Sequence, residues 1–286
     1  MKAISLLLIE RKLSMKNAAV EKRKSATGPG LAMLASFVLF LGTAANASAQ
    51  EAPSADEQAQ ANNPLASAYA LNFQNFYSPA LFELPDESAN TFWVRTAIPV
   101  GRTLTRASIA LPSRPSSPGA KSGLGDFNIF TAYLFVSNPT TSIGLGPLLV
   151  APTASDDALG QGKWQAGAAA VAFKATPIVQ FGGLVTWQGS FAGDEAREST
   201  SILALQPFAM WQLGGGTYLR STAIWVFDLK QDTYAVPFGI GIGKVLKSGN
   251  VVYNMFLEPQ FTVLHEGTGQ PKLQLFAGLH LQFPRG

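Results

Sequence analysis

Catalytic chemistry would need a nucleophile and a base held together, and this sequence offers few residues for either role. It contains two histidines, His265 and His280, and no cysteine. A serine enzyme needs a serine, a histidine and an orienting polar group close together. Residues 189–193 read Gly-Ser-Phe-Ala-Gly, which is not a Gly-x-Ser-x-Gly elbow because the serine stands one position early. We therefore predict no catalytic residues and no enzyme activity.

Cofactor and metal signals are equally weak. Residues 239–244 read Gly-Ile-Gly-Ile-Gly-Lys, but the first glycine of a phosphate loop is missing, and Val245 stands where Ser or Thr is required. The acidic pairs at 156–157 and 194–195 offer oxygens that suit Ca²⁺, although solvated loop charge explains them more simply. We predict no cofactor and no metal.

Nine polar residues fall within β-like segments, on the face opposite to the apolar stripe of each segment. A buried charge must be paired or hydrated, so these side chains would either cross-link the interior of a barrel or line a narrow polar path. For His280 a hydrogen-bonded lining role is a better interpretation than catalysis. The predicted lumen-lining residues are Arg95, Arg106, Asp126, Gln188, Arg220, Asp228, Glu258, Gln260 and His280.

The segment that positions His280 shows the pattern most clearly. Residues 272–283 read Lys-Leu-Gln-Leu-Phe-Ala-Gly-Leu-His-Leu-Gln-Phe, with apolar residues at every second position and Phe276 as the one exception. Side chains of a strand point to opposite faces in turn, so one face is apolar and the other mostly polar. The stripe is long for a soluble strand and suits a tilted strand that crosses an apolar band of about 25 Å.

Similar segments recur along the chain and predict an all-β fold. We interpret them as twelve strands of an antiparallel, transmembrane, up-and-down β-barrel, an even number as in bacterial single-chain barrels. A soluble barrel or sandwich is the alternative. The predicted strands are 68–76, 91–100, 105–113, 125–136, 142–152, 163–175, 178–192, 200–213, 217–229, 235–245, 251–264 and 272–283.

The connections between these segments favour the transmembrane barrel over the soluble barrel or sandwich. Links after odd-numbered strands are mostly long and polar, whereas links after even-numbered strands are short and turn-like, such as Gly-Gly-Gly at 214–216. Outer-membrane barrels have long extracellular loops and short periplasmic turns. The pattern therefore predicts that both termini are periplasmic.

The residues before the barrel read as a leader and a tail. Seven of the 21 Lys and Arg precede residue 50, followed by an apolar run from Leu31 and the small-residue site Ala47-Ser48-Ala49. We predict a cleaved signal peptide over 1–49, with Met15 as a second candidate start, because the run is short for a membrane anchor. Residues 50–67 are predicted to be a flexible periplasmic tail, and 68–286 the barrel. The barrel region is close to neutral, so we predict no nucleic-acid partner.

Most of the barrel region resembles the outer-membrane family described as putative MetA-pathway of phenol degradation, whose members are often catalogued as transporters or mislabelled neuromedin U. The resemblance implies a barrel that passes small hydrophobic molecules; it supplies no binding residues. The chain departs from outer-membrane barrels in ending Phe-Pro-Arg-Gly rather than on the aromatic residue. The matching stretches are 123–127, 146–154, 160–167, 190–194, 205–208, 236–244, 258–261 and 281–284.

These observations lead to one functional hypothesis and two alternatives. We predict a passive channel for small hydrophobic, aromatic-type compounds in the outer membrane of a Gram-negative-type bacterium, with outer-membrane lipid and the barrel-insertion machinery as partners. One alternative is an outer-membrane lipid-modifying enzyme, which would need a Ser and a His about 3 Å apart on the outer wall. The other is a structural or adhesive barrel, which a lumen wholly filled by side chains would favour.

Overall fold

The computed structural model describes residues 55–66 and 68–284, and these residues are almost entirely β-structure. One helix, α1 (Ala55–Asn62), precedes fifteen strands. The strands are β1 (Ala68–Leu81), β2 (Ala89–Val100), β3 (Thr103–Ser116), β4 (Gly119–Ser122), β5 (Phe127–Asn138), β6 (Thr141–Ala151), β7 (Lys163–Ala175), β8 (Val179–Gly193), β9 (Ser201–Gly214), β10 (Thr217–Ser221), β11 (Trp225–Asp228), β12 (Thr233–Gly239), β13 (Gly241–Ser248), β14 (Val251–Glu266) and β15 (Pro271–Pro284).

The strands close into one antiparallel barrel. Neighbours along the chain pair with each other, and β15 pairs with both β14 and β1, so the sheet has no free edge. β10 and β11 follow one another along the same side of β9, and β12 and β13 do so along β14. Each of these two pairs is one interrupted strand, while β4 only extends a hairpin with β3. The predicted fold class is confirmed: the barrel is all-β, antiparallel, up-and-down and twelve-stranded.

The two interruptions lie side by side in the wall. β10 pairs with β13 up to Arg220 and Gly241, and β11 pairs with β12 only from Val226 and Ala235. Between these points the two strands exchange no ladder hydrogen bonds. The indole Nε1 of Trp225 donates across the gap to the carbonyl of Pro237 at 3.0 Å. Side chains therefore replace the missing backbone pairing, which an apolar surrounding would otherwise leave unsatisfied.

The connections sort to the two ends of the barrel as the sequence predicts. At one end lie short turns, among them residues 101–102, 215–216 and 249–250, together with the start of β1 and the end of β15. We call this the turn end. The opposite end, the loop end, carries the longer connections, such as residues 152–162 between β6 and β7.

A loop contact at the loop end involves an exposed ion pair. Lys121 of β4 donates a hydrogen bond to the carboxylate of Asp156 in the loop after β6. This hydrogen bond lowers the pKa of Asp156 below its ordinary value. The contact is therefore present above the ordinary carboxylate pKa and is lost as the pH falls through the lowered one.

The outer face of the barrel is apolar. Large side chains that point outward are exposed, including Phe181, Trp187 and Phe191 on β8, the positions that the alternation predicts. Ile240 and Ile242 are also exposed, and the glycines beside them face inward. An apolar belt of this extent on a closed sheet is typical of a surface that meets lipid.

Outward aromatic residues occur at both ends of this belt. Tyr69 and Phe283 pair near the turn end, and Trp211 stands beside the turn between β7 and β8. Trp164 and Phe191 are exposed near the loop end. Two aromatic girdles of this kind flank the apolar band of transmembrane barrels.

The structure differs from the sequence prediction over residues 55–66, which we interpreted as part of a flexible tail. Ala55–Asn62 form helix α1, and the residues after it turn towards β1. Ala61, Leu65 and Ala66 are buried inside the barrel. None of the helices in 55–66 and 68–284 is long and apolar enough to cross a membrane. The predicted signal peptide, 1–49, lies outside the described residues.

Candidate functional site

The described interior of the barrel includes two neighbouring cavities that have part of their lining in common. One cavity, of about 120 Å³, lies on the turn-end side and is bounded by α1 and by residues such as Tyr218 and Met210. The other, of about 160 Å³, lies on the loop-end side and is bounded by residues such as Trp93 and Thr186. We call the residues that line both cavities the constriction; they are Arg95, Arg106, Phe130, Leu184 and Gln206.

Local sequence explains why the constriction combines charge with apolar surface. Arg95 and Arg106 come from the inward faces of β2 and β3, and Ser108 of β3 stands directly opposite Arg95. Arg106 is thus a diagonal neighbour of Arg95, at a typical separation of about 7–8 Å. Leu184 of β8 faces them from across the lumen, on the inward face that also carries Gln188.

A hydrogen-bonded chain holds Arg95 in place. Its Nη1 donates to Oε1 of Gln74 at 2.8 Å, and Nε2 of Gln74 lies 2.8 Å from Nε2 of His280. The amide nitrogen is the donor in this second contact, so Nε2 of His280 accepts and the imidazole is neutral. His280 is therefore a hydrogen-bonded lining residue, and among the described residues neither histidine is hydrogen-bonded to a serine.

A third arginine, Arg220, lines the turn-end cavity and forms a buried ion pair. Nε of Arg220 donates to Oε2 of Glu258 at 2.8 Å, and its Nη2 donates to Oγ1 of Thr222. Glu258 is 0% exposed and also accepts from Nε2 of Gln260. A buried carboxylate is tolerated only when paired and hydrogen-bonded, and both conditions are met here.

The carboxylate of Glu258 also accepts a backbone hydrogen bond at the interruption of the barrel wall. The backbone N–H of Thr222, which lies between β10 and β11, donates to Oε1 of Glu258 at 2.9 Å. The carbonyl of Thr222 accepts from Nε2 of Gln206 at 3.1 Å. Side chains that point into the lumen thus satisfy the backbone groups that the neighbouring strand leaves unpaired.

An aromatic cluster covers the Arg220 guanidinium. The guanidinium carbon lies 3.4 Å from the ring centre of Phe256 and 5.1 Å from that of Phe276. The ring of Phe76 stacks on Phe276 with the ring centres 4.1 Å apart. Phe256 and Phe276, which stand at otherwise polar positions of β14 and β15, are therefore the residues that pack this ion pair, with a cation–π contribution.

The cluster depends on a glycine in β15. A Cβ at Gly278 would lie 2.1 Å from Cζ of Phe256, whose ring is held between Arg220 and Phe276. We expect Gly278→Ala to lower the free energy of unfolding by about 1–3 kcal/mol through overpacking. Denaturant titration of the refolded parent and variant barrels measures this difference in the free energy of unfolding. Gly183→Ala is the control, because its Cβ would have no closer neighbour than the carbonyl of Gln206 at 3.7 Å; equal losses would contradict the argument.

Helix α1 is pinned inside the turn end of the barrel by amide side chains. Nδ2 of Asn254 donates to the carbonyl of Ala61 and to Oδ1 of Asn62, both at 2.9 Å. Gln282 of β15 donates to the same carbonyl of Ala61 at 3.1 Å. In addition, Nε2 of Gln58 donates to the carbonyl of Thr217 at 3.3 Å. The helix thereby narrows the lumen on the turn-end side of the constriction.

The structure places most of the predicted lumen residues on the inner face. Arg95, Arg106, Arg220 and His280 line the turn-end cavity, and Glu258, Gln260 and Gln188 are hydrogen-bonded to other inner-face residues. Among the described residues no group of three His, Cys, Asp or Glu could hold a metal ion.

Asp126 and Asp228, which were also predicted to line the lumen, line neither of the two cavities. The two carboxylate oxygens of Asp126 accept from the backbone N–H groups of Ala154 and Gln161, and so fold the loop after β6. Asp228 accepts from the N–H groups of Lys230 and Gln231 in the turn after β11. Both residues organise loop-end connections because they stand at strand termini, where backbone donors are unpaired.

The apolar lining and the amides that anchor the helix carry no clear signal in the sequence. Phe130, Leu184 and Trp93 line the cavities but carry no charge that would mark them, and Asn254 is one of several amides on the polar faces of the strands. Phe256 and Phe276 did carry a signal, because each interrupts the polar positions of an otherwise alternating strand.

Comparison with known proteins bears on the fold. Among solved structures, an outer membrane channel from Pseudomonas putida F1 superposes with a TM-score of 0.56 at 14% identity, over 76% of this chain and 94% of that chain. The two chains share a fold. The NanC porin gives a TM-score of 0.49 at 8% identity, over 75% of this chain and 100% of that one. No protein-family model and no curated protein matches the sequence.

Proposed function

We propose that this protein is an outer-membrane channel through which small, mainly apolar or aromatic solutes pass without energy coupling. The observation that carries the proposal is the interior, where two neighbouring cavities have in common a lining of arginine, aromatic and aliphatic side chains. A lumen wholly filled by side chains would favour a structural or adhesive role, and these cavities argue against it. A mixed lining of this kind suits small amphipathic solutes.

Further observations support the setting of this channel. The apolar outer face and its aromatic residues fit a barrel that lipid surrounds. The short turns and both ends of the barrel chain lie together, which fits periplasmic termini and delivery by the barrel-insertion machinery. The fold shared with the Pseudomonas putida outer membrane channel agrees with a channel, and the resemblance to the MetA-pathway family implies hydrophobic solutes.

Liposome swelling tests the proposal. We expect liposomes that contain the refolded protein to swell in isotonic solutions of small aromatic solutes faster than in solutions of disaccharides, because the constriction presents Phe130 and Leu184 to the solute. Liposomes with heat-denatured protein are the control. Exclusion of aromatic solutes and sugars alike would contradict the proposed function.

A further inference from the structure

The two arginines of the constriction differ from Arg220, the other arginine that lines the turn-end cavity. Arg220 has Glu258 as its counter-ion, whereas within 55–66 and 68–284 no carboxylate lies within 4 Å of Arg95 or Arg106. Both of these side chains line both cavities. The constriction therefore carries two positive charges without a counter-ion among the described residues.

The hydrogen-bonding capacity of these arginines is also largely unused. Nε of Arg95 and Nε of Arg106 are buried, and neither has a hydrogen-bond acceptor among the described residues. Among the described residues, Oε1 of Gln74 is the one side-chain acceptor for Arg95. An unsatisfied buried donor is costly, and more so on a charged group, so a site of this kind favours an anion that accepts from it.

The geometry of the pair suits a planar anion. Each guanidinium presents a fixed fork of N–H groups that matches the two oxygens of a carboxylate. Because the two arginines are diagonal neighbours on β2 and β3, one carboxylate can accept from both. Gln74, which is itself hydrogen-bonded to His280, fixes the orientation of Arg95 and acts as a positioning residue.

The rest of the loop-end cavity is suited to a ring. The ring of Trp93 lies 4.5 Å from the Arg95 guanidinium carbon, and the ring of Phe130 lies 5.6 Å from that of Arg106. Leu148 and Ile224 complete an apolar wall. The cavity volume of about 160 Å³ is close to that of a cavity known to hold one benzene ring.

We propose that Arg95 and Arg106 form a carboxylate-binding site and that the solutes this channel selects are small aromatic carboxylates. The inference rests on the proposed function and narrows its substrate class. The ring of the solute packs against Trp93 and Phe130 while its carboxylate accepts hydrogen bonds from the two guanidinium groups. Arg220 does not take part, because Glu258 already occupies it.

Calorimetric titration of the folded, detergent-solubilised protein tests this site without requiring transport. We expect benzoate to bind at least ten-fold more tightly than benzyl alcohol, which has the same ring without the charge. Benzyl alcohol cannot make the charge-assisted hydrogen bonds that a carboxylate makes with the two guanidinium groups. Arg95→Gln and Arg106→Gln should each weaken benzoate binding about ten-fold or more and leave the benzyl alcohol affinity unchanged. Equal affinities for the two solutes would overturn the proposal.

Lys230→Gln is the matched control. It removes one positive charge from an exposed turn at the loop end, outside the two cavities, and should leave benzoate binding unchanged. A decrease in benzoate affinity as large as that of the Arg95 and Arg106 variants would show that net charge, and not the site, causes the effect.

The reversal potential of the unmodified protein across a KCl gradient gives a second measurement that needs no variant. We expect anion preference, and cation preference would contradict the site.

The outcomes separate this inference from the proposed function. Benzoate binding without swelling in any aromatic solute would retain the site and reject the channel. Swelling in neutral aromatic solutes without benzoate binding would retain the channel and reject the site. Benzoate binding that acetate matches in affinity would show that the ring contributes nothing, and the aromatic part of the proposal would fail.

Discussion

Deletion of residues 50–66 is expected to raise the single-channel conductance of the barrel several-fold. These residues include α1, which lies in the turn end of the lumen and is held there by hydrogen bonds from Asn254 and Gln282. A helix with its side chains is about 10–12 Å across, a large part of the bore of a twelve-stranded barrel. Planar-bilayer recording of the refolded variant measures the change.

The control deletion removes residues 50–54 alone, which leaves α1 and its four hydrogen bonds in place. Its conductance should equal that of the parent. The double variant Asn254→Leu and Gln282→Leu removes three of the four hydrogen bonds to the helix and should produce more frequent openings to the larger conductance level. If the 50–66 deletion conducts no better than the parent, α1 does not limit permeation.

The second large effect is expected from Glu258→Gln, which should lower the free energy of unfolding by about 3–5 kcal/mol. Removal of one partner leaves the Arg220 charge buried without compensation, which is the costly way to break a buried ion pair. The substitution also disturbs the hydrogen bond from the Thr222 N–H that closes the interrupted wall. Guanidinium-induced unfolding of the barrel in lipid vesicles measures the change.

A double-substitution cycle gives this prediction its control. Arg220→Met combined with Glu258→Gln removes both charges and should recover most of the loss, since a neutral interior avoids the desolvation penalty. Lys121→Ala, which breaks the exposed pair with Asp156, should change stability far less because solvent screens it. A loss for Glu258→Gln no larger than that for Lys121→Ala would show that the ion pair does not stabilise the wall.

The alternation of the final strand shows how much of the fold the sequence contains. Each strand of a transmembrane barrel has one face towards lipid and one towards the lumen. The period of two is therefore visible in the sequence of each strand, even when its partner strands are not known. The predicted strand at 163–175 coincides with β7, and the one at 272–283 lies within β15. The boundaries of β1 were predicted five residues too short, because Tyr77–Leu81 continue pairing beyond the clear pattern.

The lumen was predicted only in part, because a polar residue on the inner face has several possible partners. Arg95 and Arg220 look alike in the sequence, yet one is bound to Gln74 and the other to Glu258. Glu258 is 38 residues from Arg220 along the chain, and only the pairing of β13 with both β10 and β14 brings the two together. The apolar lining, such as Leu184, could not be told from lipid-facing residues on composition alone.

Residues 55–66 mark the limit of sequence reasoning for this protein. The sequence by itself determined the closed, alternating barrel, because that pattern follows from two solvents on the two faces of one sheet. Helix α1 has no apolar face of its own that would predict its position. Its carbonyl at Ala61 is held by Asn254 and Gln282, which stand 193 and 221 residues further along the chain. Hydrogen bonds over such separations exist only once the barrel has closed, so the tertiary structure alone decided where this segment lies.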